Sequence, residues 1–495
     1  MTSMNPTFDM VAKTFQGLEG VLAEELRGLG AENVMPGNRM VSFTGDKAML
    51  YKANMCCRTA LRILKPIYSF RAGDTDSLYE GVKDFDWRSI MDEDKTFVIS
   101  STVYSDEFRN SQFVTYRVKD AIVDWFRDHN DDGRRPGVRS VGADVILNVH
   151  IAGRDVTISL DSSGESLHRR GWRKAQTDAP INEVLAAGMI LMSGWRGETP
   201  FVDPMCGSGT FVIEAALIAA GIAPGIFRKH FAFETWPDFD AGLLESIYND
   251  DSAEREVTVP IVGCDILRQA IEISKENAKS AGVERYITFE RKALADWTEA
   301  PQPGGVLMTN PPYGRRISVD DMNGLYATLG TKLKQLFRGY HAWVIGYDDE
   351  YFHEIGLAPS QKIALDNGGL DCELREYVIF EGTKRDFRAA GGRLKEERQP
   401  AARKAPRDRK DSRDRRPANP GSRRPGKPGK PGDHRPAKPE DSQKYGRKPR
   451  RDESGETPRE HRPLDLKRLG RTPSISADKE IVLNRPAWRA RKKND

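Results

Sequence analysis

The rhythm of apolar and polar positions changes three times along the chain. In residues 8–68 short apolar runs alternate with amphipathic ones. "FDMVAKTF" (8–15) predicts a strand and "GLEGVLAEELRGLG" (17–30) a helix ended by glycine. "ENVMPGNRMVSFTG" (32–45) predicts a hairpin around Pro36-Gly37-Asn38, followed by a helix "KAMLYKANMC" (47–56) and a strand "TALRILKPIYSF" (59–70). That β-α-β-β-α-β order fits a ferredoxin-like unit. A second α+β unit follows: helix "LYEGVKDFDW", strand "TFVISSTVY", long helix "SQFVTYRVKDAIVDWFRDH", a polar turn "NDDGRRPGVRS", and closing strands "DVILNVHIA" and "RDVTISLDS".

From about residue 175 a helix leads into strand–helix alternation. The strand candidates are "TPFVDP", "VTVPIVGCD", "YITFE", "GGVLMTN", "HAWVIGY", "SQKIAL" and "REYVIFEG". Apolar runs separated by amphipathic helices predict a mostly parallel sheet covered on both faces. Beyond about residue 386 runs such as "RKAPRDRKDSRDRRPANPGSRRPGKPGKPGDHRP" carry too few apolar side chains to build a core, which predicts a disordered tail. The expected organisation is therefore 1–70 ferredoxin-like, 71–165 a second α+β unit, 166–386 Rossmann-like α/β and 387–495 tail.

Charge sharpens that division. Residues 391–495 hold 33 Lys+Arg against 16 Asp+Glu, a net of +17, whereas residues 1–390 hold 44 against 57, a net of −13. An acidic body with a basic extension points to a polyanionic partner or to a solubilising tail. The five cysteines form no C-x-x-C pair and no zinc-like spacing, so no metal site is expected. With no apolar 18-mer and no N-terminal apolar leader, the expectation is a soluble cytoplasmic protein without membrane partners.

Two motifs carry chemistry. "FVDPMCGSGTFVIEAA" (201–216) is a strand, a glycine turn and a helix. Dinucleotide enzymes use similar turns, but a carboxylate at the strand end, Asp203, would repel a pyrophosphate. S-adenosylmethionine brings an ammonium and a sulfonium instead, for which Asp203 is a suitable neighbour. Gly207, Ser208, Gly209 and Thr210 form the turn beside it. Asp265 ends the next strand, where an acid can accept both ribose hydroxyls of an adenosine, cap the following helix, or both. Asp296 is the candidate for the adenine edge.

The second motif is Asn310-Pro311-Pro312-Tyr313 at the end of the fourth strand. An exocyclic amine on a purine is a poor nucleophile because its lone pair is delocalised into the ring. The Asn310 side-chain oxygen and the Pro311 carbonyl can each accept one of its N–H groups, turning the lone pair towards a methyl donor. The two prolines stiffen the backbone, and Tyr313 can stack on an extruded base. In the bridge "LHRRGWRK" (167–174), Arg169, Arg170 and Lys174 are candidates for phosphate contacts, or for a solvated linker.

With "FVDPMCGSGTFVIEAA", "TNPPYGRR", "LHRRGWRK", "APINEVLAAG" and "LDNGGLDCELREYVIF" in view, the chain resembles a THUMP-domain class I methyltransferase over residues 5–385. It is most similar to the bacterial 23S rRNA guanine-N2 methyltransferases, in particular the amino-terminal half of the two-headed enterobacterial enzyme. The resemblance implies that residues 1–165 present RNA, that Pro180 to Ala187 lie beside the cofactor pocket, and that the partner is 23S rRNA or an early large-subunit assembly intermediate. Where such enzymes often carry an acid after the basic residue of the third strand, this chain has Ala293, and the basic tail lies outside the family pattern. Other readings stay open on the motifs alone: a tRNA guanine or an adenine N6 as target, a non-catalytic RNA-binding assembly factor, and, disfavoured by Asp203, a nicotinamide dehydrogenase.

Overall fold

The computed structural model describes residues 6–312 and 321–380, together with Gly382, Arg388 and Ala389. Tyr313 and the basic tail beyond Ala389 lie outside the described residues.

The amino-terminal elements are β1 (Phe8–Lys13), α1 (Glu19–Gly28), β2 (Glu32–Gly37), β3 (Met40–Gly45), α2 (Lys47–Cys56) and β4 (Arg62–Arg71). Their strand order, β2-β3-β1-β4, is that of a ferredoxin-like sheet. Local chemistry sets the boundaries. Asp46 accepts the Met49 N–H and starts α2, and the β2–β3 turn passes through Arg39 at φ 56°. Alternate residues of β3 are buried, as expected for a sheet with one face on a core.

The next elements are α3 (Thr75–Lys83), β5 (Thr96–Tyr104), α4 (Ser111–His129), β6 (Gly137–Val138), β7 (Val145–Ala152) and β8 (Asp155–Asp161). The polar stretch read as a plain turn holds the two-residue strand β6, which pairs in parallel with β5. β4 pairs antiparallel with β8, from Leu64 opposite Asp161 to Arg71 opposite Asp155, so both units share one eight-stranded sheet.

The remaining elements are α5 (Glu183–Met192), β9 (Phe201–Asp203), α6 (Thr210–Ala219), α7 (Ala241–Tyr248), β10 (Ile261–Asp265), α8 (Arg268–Ser280), β11 (Ile287–Arg291), β12 (Gly305–Thr309), α9 (Met322–Leu336), β13 (Tyr340–Gly346), α10 (Asp349–Glu354), β14 (Gln361–Asn367) and β15 (Leu370–Val378). The sheet order is β11-β10-β9-β12-β13-β15-β14, with parallel pairing from β11 through β13 and antiparallel β15 and β14. The last two strands form a hairpin through Gly368 and Gly369, so β15 starts five residues before the expected "REYVIFEG". Chain order runs outward from β9 to β10 and β11, then returns to place β12 on the other side. That reversal opens a crevice at the carboxyl ends of β9 and β12.

The long stretch between α6 and β10 packs on α2 and on the segment that follows β8. Phe233 stacks on Tyr51 with ring centroids 4.2 Å apart, and the Asp240 N–H donates to the Tyr51 hydroxyl. The Arg228 guanidinium donates to the carbonyls of Ser163, Glu165, Ser166 and Arg169. Leu18, before α1, is fully buried in the same apolar cluster as α5, α6 and Trp172. The amino-terminal unit and the α/β domain therefore share a core.

Candidate functional site

A cavity of about 1650 Å³ opens at the crevice, lined by the ends of β9, β10 and β12, the glycine turn and the segment before α5. Phe15, in the β1–α1 loop, reaches its wall from the amino-terminal unit.

Asp203 is 1% exposed, yet its Oδ1 accepts the Thr309 hydroxyl at 2.9 Å and the Met205 N–H at 3.1 Å. Burial pushes its carboxyl up to about 7, and the nearby Asp265 adds to the shift. Such a group stays ionised most readily beside a cation. After it the chain turns sharply, with Gly207 at φ 53° and Gly209 at φ 82°. A side chain on Gly209 would meet Ser274 of α8 at 3.0 Å. Gly209 thus permits the turn and lies outside the lining, whereas Gly207, Ser208 and Thr210 are in it.

Asp265 occupies the cavity wall, its Oδ2 accepting the Gly207 N–H at 3.0 Å and its Oδ1 the Leu267 N–H at 2.9 Å. It orients the glycine turn, and each oxygen keeps a further acceptor position. Ile266 and Leu267 beside it are each 61% exposed and line the cavity, an apolar surface for a flat ring. Asp296 departs from expectation. It is exposed and lies outside the lining, which takes Ala293, Leu294 and Ala295 from the same turn. The short 3-10 helix Leu294–Asp296 turns its carboxylate outward.

β12 ends at Thr309, and Asn310, Pro311 and Pro312 continue along the wall. The Asn310 Oδ1 is buried and has no hydrogen-bond partner among the described residues. A buried unmet acceptor costs roughly 1–3 kcal/mol.

The three basic candidates of the bridge for phosphate contacts or a solvated linker have different surroundings. Arg170 is 2% exposed; its Nε donates to Glu214 Oε1 at 3.4 Å, its Nη1 to the Leu167 carbonyl and its Nη2 to the Arg58 carbonyl. It cannot reach RNA, because its donors cross-link the two units. Arg169 and Lys174 are exposed, the former paired with Glu165 at 3.2 Å. Residues with no individual sequence signal complete the site. The Arg173 Nε donates to Glu183 Oε1 at 2.6 Å, and its Nη atoms donate to the Ser208 and Thr210 hydroxyls at 3.0 and 2.9 Å. Asn277 of α8 bonds the backbone of both Lys174 and Ser208. Among the described residues no group of three or more His, Cys, Asp or Glu side chains could hold a metal ion.

Three family models match: the RlmL ferredoxin-like domain at residues 9–64, the THUMP domain at 72–161 and the RMKL-like methyltransferase domain at 170–376. The Synechocystis protein named "Putative RNA methyltransferase slr0064" is 39% identical over 378 residues, 76% of this chain and 97% of that one. The chain belongs to the RMKL-like methyltransferase family. The ribosomal RNA large subunit methyltransferase K/L of Syntrophotalea carbinolica is also 39% identical, over 391 residues. This chain spans only 54% of that relative's length. Among solved structures, the one described as "SMU.472, a putative methyltransferase complexed with SAH" superposes with a TM-score of 0.69 at 31% identity. The match covers 77% of this chain and all of that one. The methyltransferase match contains every cavity residue except Phe15, Glu165, His168 and Arg169.

Arg170→Ala removes a buried cation that hydrogen-bonds Glu214 and leaves Arg58 as the remaining opposite charge beside it. Thermal or denaturant unfolding should show a loss of about 3–5 kcal/mol. Arg169→Ala, on the exposed side of the same bridge, should fall within about 0.5 kcal/mol of the wild type.

Proposed function

We propose that this chain is an S-adenosylmethionine-dependent methyltransferase acting on the exocyclic N2 amine of a guanine in 23S rRNA. The observation that carries the reading is the buried Oδ1 of Asn310, without a hydrogen-bond partner among the described residues, on the wall of a cavity shared with Asp203 and Asp265. The K/L relative, named for large-subunit ribosomal RNA, supports the choice of substrate.

The cavity residues fit the methyl donor. Asp203 faces its cationic groups, Asp265 has acceptor capacity for ribose hydroxyls, Ile266 and Leu267 offer an apolar face, and Gly207, Ser208 and Thr210 line the turn. When bound, the donor supplies a methyl group made electrophilic by a sulfonium. The protein's part is orientation. Asn310 Oδ1 and the Pro311 carbonyl accept the two N–H groups of the amine, and the double proline keeps that carbonyl in place. Tyr313, outside the described residues, is assigned to stack on the base, which must leave its helix or be met before the helix closes.

Residues 1–165 and the exposed Arg169 and Lys174 are assigned to RNA, with the +17 segment 391–495 offsetting the repulsion of an acidic body. Among the described residues no helix is long and apolar enough to cross a membrane, and the reading implies a cytoplasmic enzyme.

Labelled methyl transfer to protein-free 23S rRNA, intact large subunits and tRNA, followed by nucleoside mass analysis, tests the assignment. Protein-free or early-assembly rRNA should yield N2-methylguanosine, and intact subunits should yield none, since their bases are already stacked and covered. N6-methyladenosine would refute the guanine assignment, exclusive labelling of tRNA the substrate class, and RNA binding without any transfer the enzyme itself.

The raised Asp203 pKa gives a pH test. Its ionised form is disfavoured in the empty fold, so its contribution to stability is present below the usual carboxylate range and is lost as pH rises through about 7. A cationic ligand selects the ionised form. Donor affinity should therefore rise roughly tenfold per pH unit up to about 7 and then level off. Calorimetric titration of Asp203→Asn should show weaker binding without that rise.

A further inference from the structure

The strand ends that meet at the cavity divide it. The groups fitted to the methyl donor stand at the ends of β9 and β10, and Asn310 follows β12. On the other side of β12, Tyr347 follows β13, Asn367 ends β14 and Leu370 begins β15, and all three line the same cavity. β14 lies three strand spacings beyond β12, roughly 14 Å. The cavity therefore continues past Asn310, away from the donor, over a length that suits a nucleotide.

The wall at that end comes from the amino-terminal unit. Phe15, in the β1–α1 loop, is partly buried against the apolar cluster that includes Leu365 of β14, and it lines the cavity. A lone apolar side chain with some exposure is ordinary, but the loop that carries this one is pinned on both sides. Before it, the Thr14 N–H donates to the Arg39 carbonyl at 3.1 Å and the Thr14 hydroxyl to the Thr59 carbonyl at 2.7 Å. After it, Gly17 at φ 91° lies so close to β14 that a side chain there would meet the Ala364 carbonyl oxygen at 2.9 Å. The Glu19 carboxylate accepts the N–H groups of Gly17 and Arg39, and Arg39 pairs with Asp366 at 3.4 Å. The ring is thus held in place before any ligand arrives, so ordering it on binding costs little.

The surroundings narrow what the ring meets. The Leu61 N–H donates to the Lys13 carbonyl and the Leu167 N–H to the Leu61 carbonyl, which ties the start of the basic bridge to the end of β1. Arg169 of that bridge is exposed, paired with Glu165, and lines the cavity with it. Tyr347, 42% exposed, adds a second ring. Aromatic faces beside an exposed guanidinium are the combination that holds unpaired bases and their phosphates.

We propose that Phe15 is a stacking wall for the acceptor base, so that the ferredoxin-like unit completes the substrate end of the methyltransferase cavity. This rests on the methyltransferase reading above. Stacking tolerates any base, so Phe15 fixes where the base lies while Asn310 and Pro311 meet its amine. Without the ring, the base gains freedom in a wide cavity and the amine is aligned less often.

Methyl transfer to protein-free 23S rRNA, measured beside donor affinity by calorimetry, tests this. Phe15→Ala should lower kcat/KM for the rRNA about ten- to a hundredfold and leave donor affinity within about twofold. Phe15→Tyr keeps the aromatic face and should stay within about threefold of the wild type. Phe15→Leu fills the space without that face and should remain at least about fivefold down, a comparison that holds even if the alanine variant fails to fold. Full transfer by the leucine variant would reduce Phe15 to packing and overturn the proposal, as would a loss of donor affinity in the alanine variant equal to its loss of transfer. Replacing Phe15 with the photo-crosslinking analogue benzoylphenylalanine gives a readout without turnover: the donor-free chain should form an adduct with the rRNA on irradiation. An active variant that forms no adduct would overturn the role of Phe15 alone. A wild-type chain that binds rRNA and donor but transfers no methyl group would overturn the methyltransferase reading instead.

Discussion

The hydrogen bond from the Thr309 hydroxyl to the buried Asp203 carboxylate joins the two strand ends on which the site depends. β9 and β12 are neighbours that the chain visits far apart in sequence, and the crevice between their carboxyl ends follows from that reversal. The contact puts Asp203, an acid strained by burial, one residue from Asn310, whose side-chain oxygen has no partner among the described residues. One acid needs a cation and one amide needs a donor. Neither need is met by the described protein, and both open on one cavity. Methyl transfer from a cationic donor to an amine satisfies the two together.

The second constraint is the fusion of the amino-terminal unit to the methyltransferase domain. Leu18 lies in the core cluster of α5 and α6, Arg58 donates to the Leu217 and Ile222 carbonyls around the end of α6, and Arg170 pairs with Glu214 in the same region. Burial disfavours the charged forms of both Arg58 and Glu214, and each is supported by opposite charge nearby. Such a junction is costly to open, since parting it would expose apolar surface and leave buried charges unpaired. Phe15 then reaches the cavity wall on a scaffold held against the methyltransferase sheet.

Much of this was legible in the residues because it is local. The helix Lys47–Cys56 begins after its capping acid, the glycine turn needs left-handed backbone at Gly207 and Gly209, and "NPP" after an apolar run marks the end of β12. What escaped depends on which way a side chain faces after distant segments meet. Arg169, Arg170 and Arg173 look alike in "LHRRGWRK", yet one is exposed, one cross-links two units and one braces the glycine turn. The joining of β4 to β8 and the outward turn of Asp296 have no local signal either. Thr309 stood one position before the motif, and only its partner 106 residues away gives it meaning.

The central claim is that Asn310 serves the acceptor amine and leaves the methyl donor alone. The most direct measurement is paired: donor affinity by calorimetry and single-turnover methyl transfer to protein-free 23S rRNA, for the wild type and Asn310→Ala. Affinity should stay within a few-fold while transfer falls by at least about two orders of magnitude, the scale of losing an oriented polar contact in the transition state. Full transfer by the alanine variant, or a loss of donor binding that accounts for the whole defect, would contradict the account.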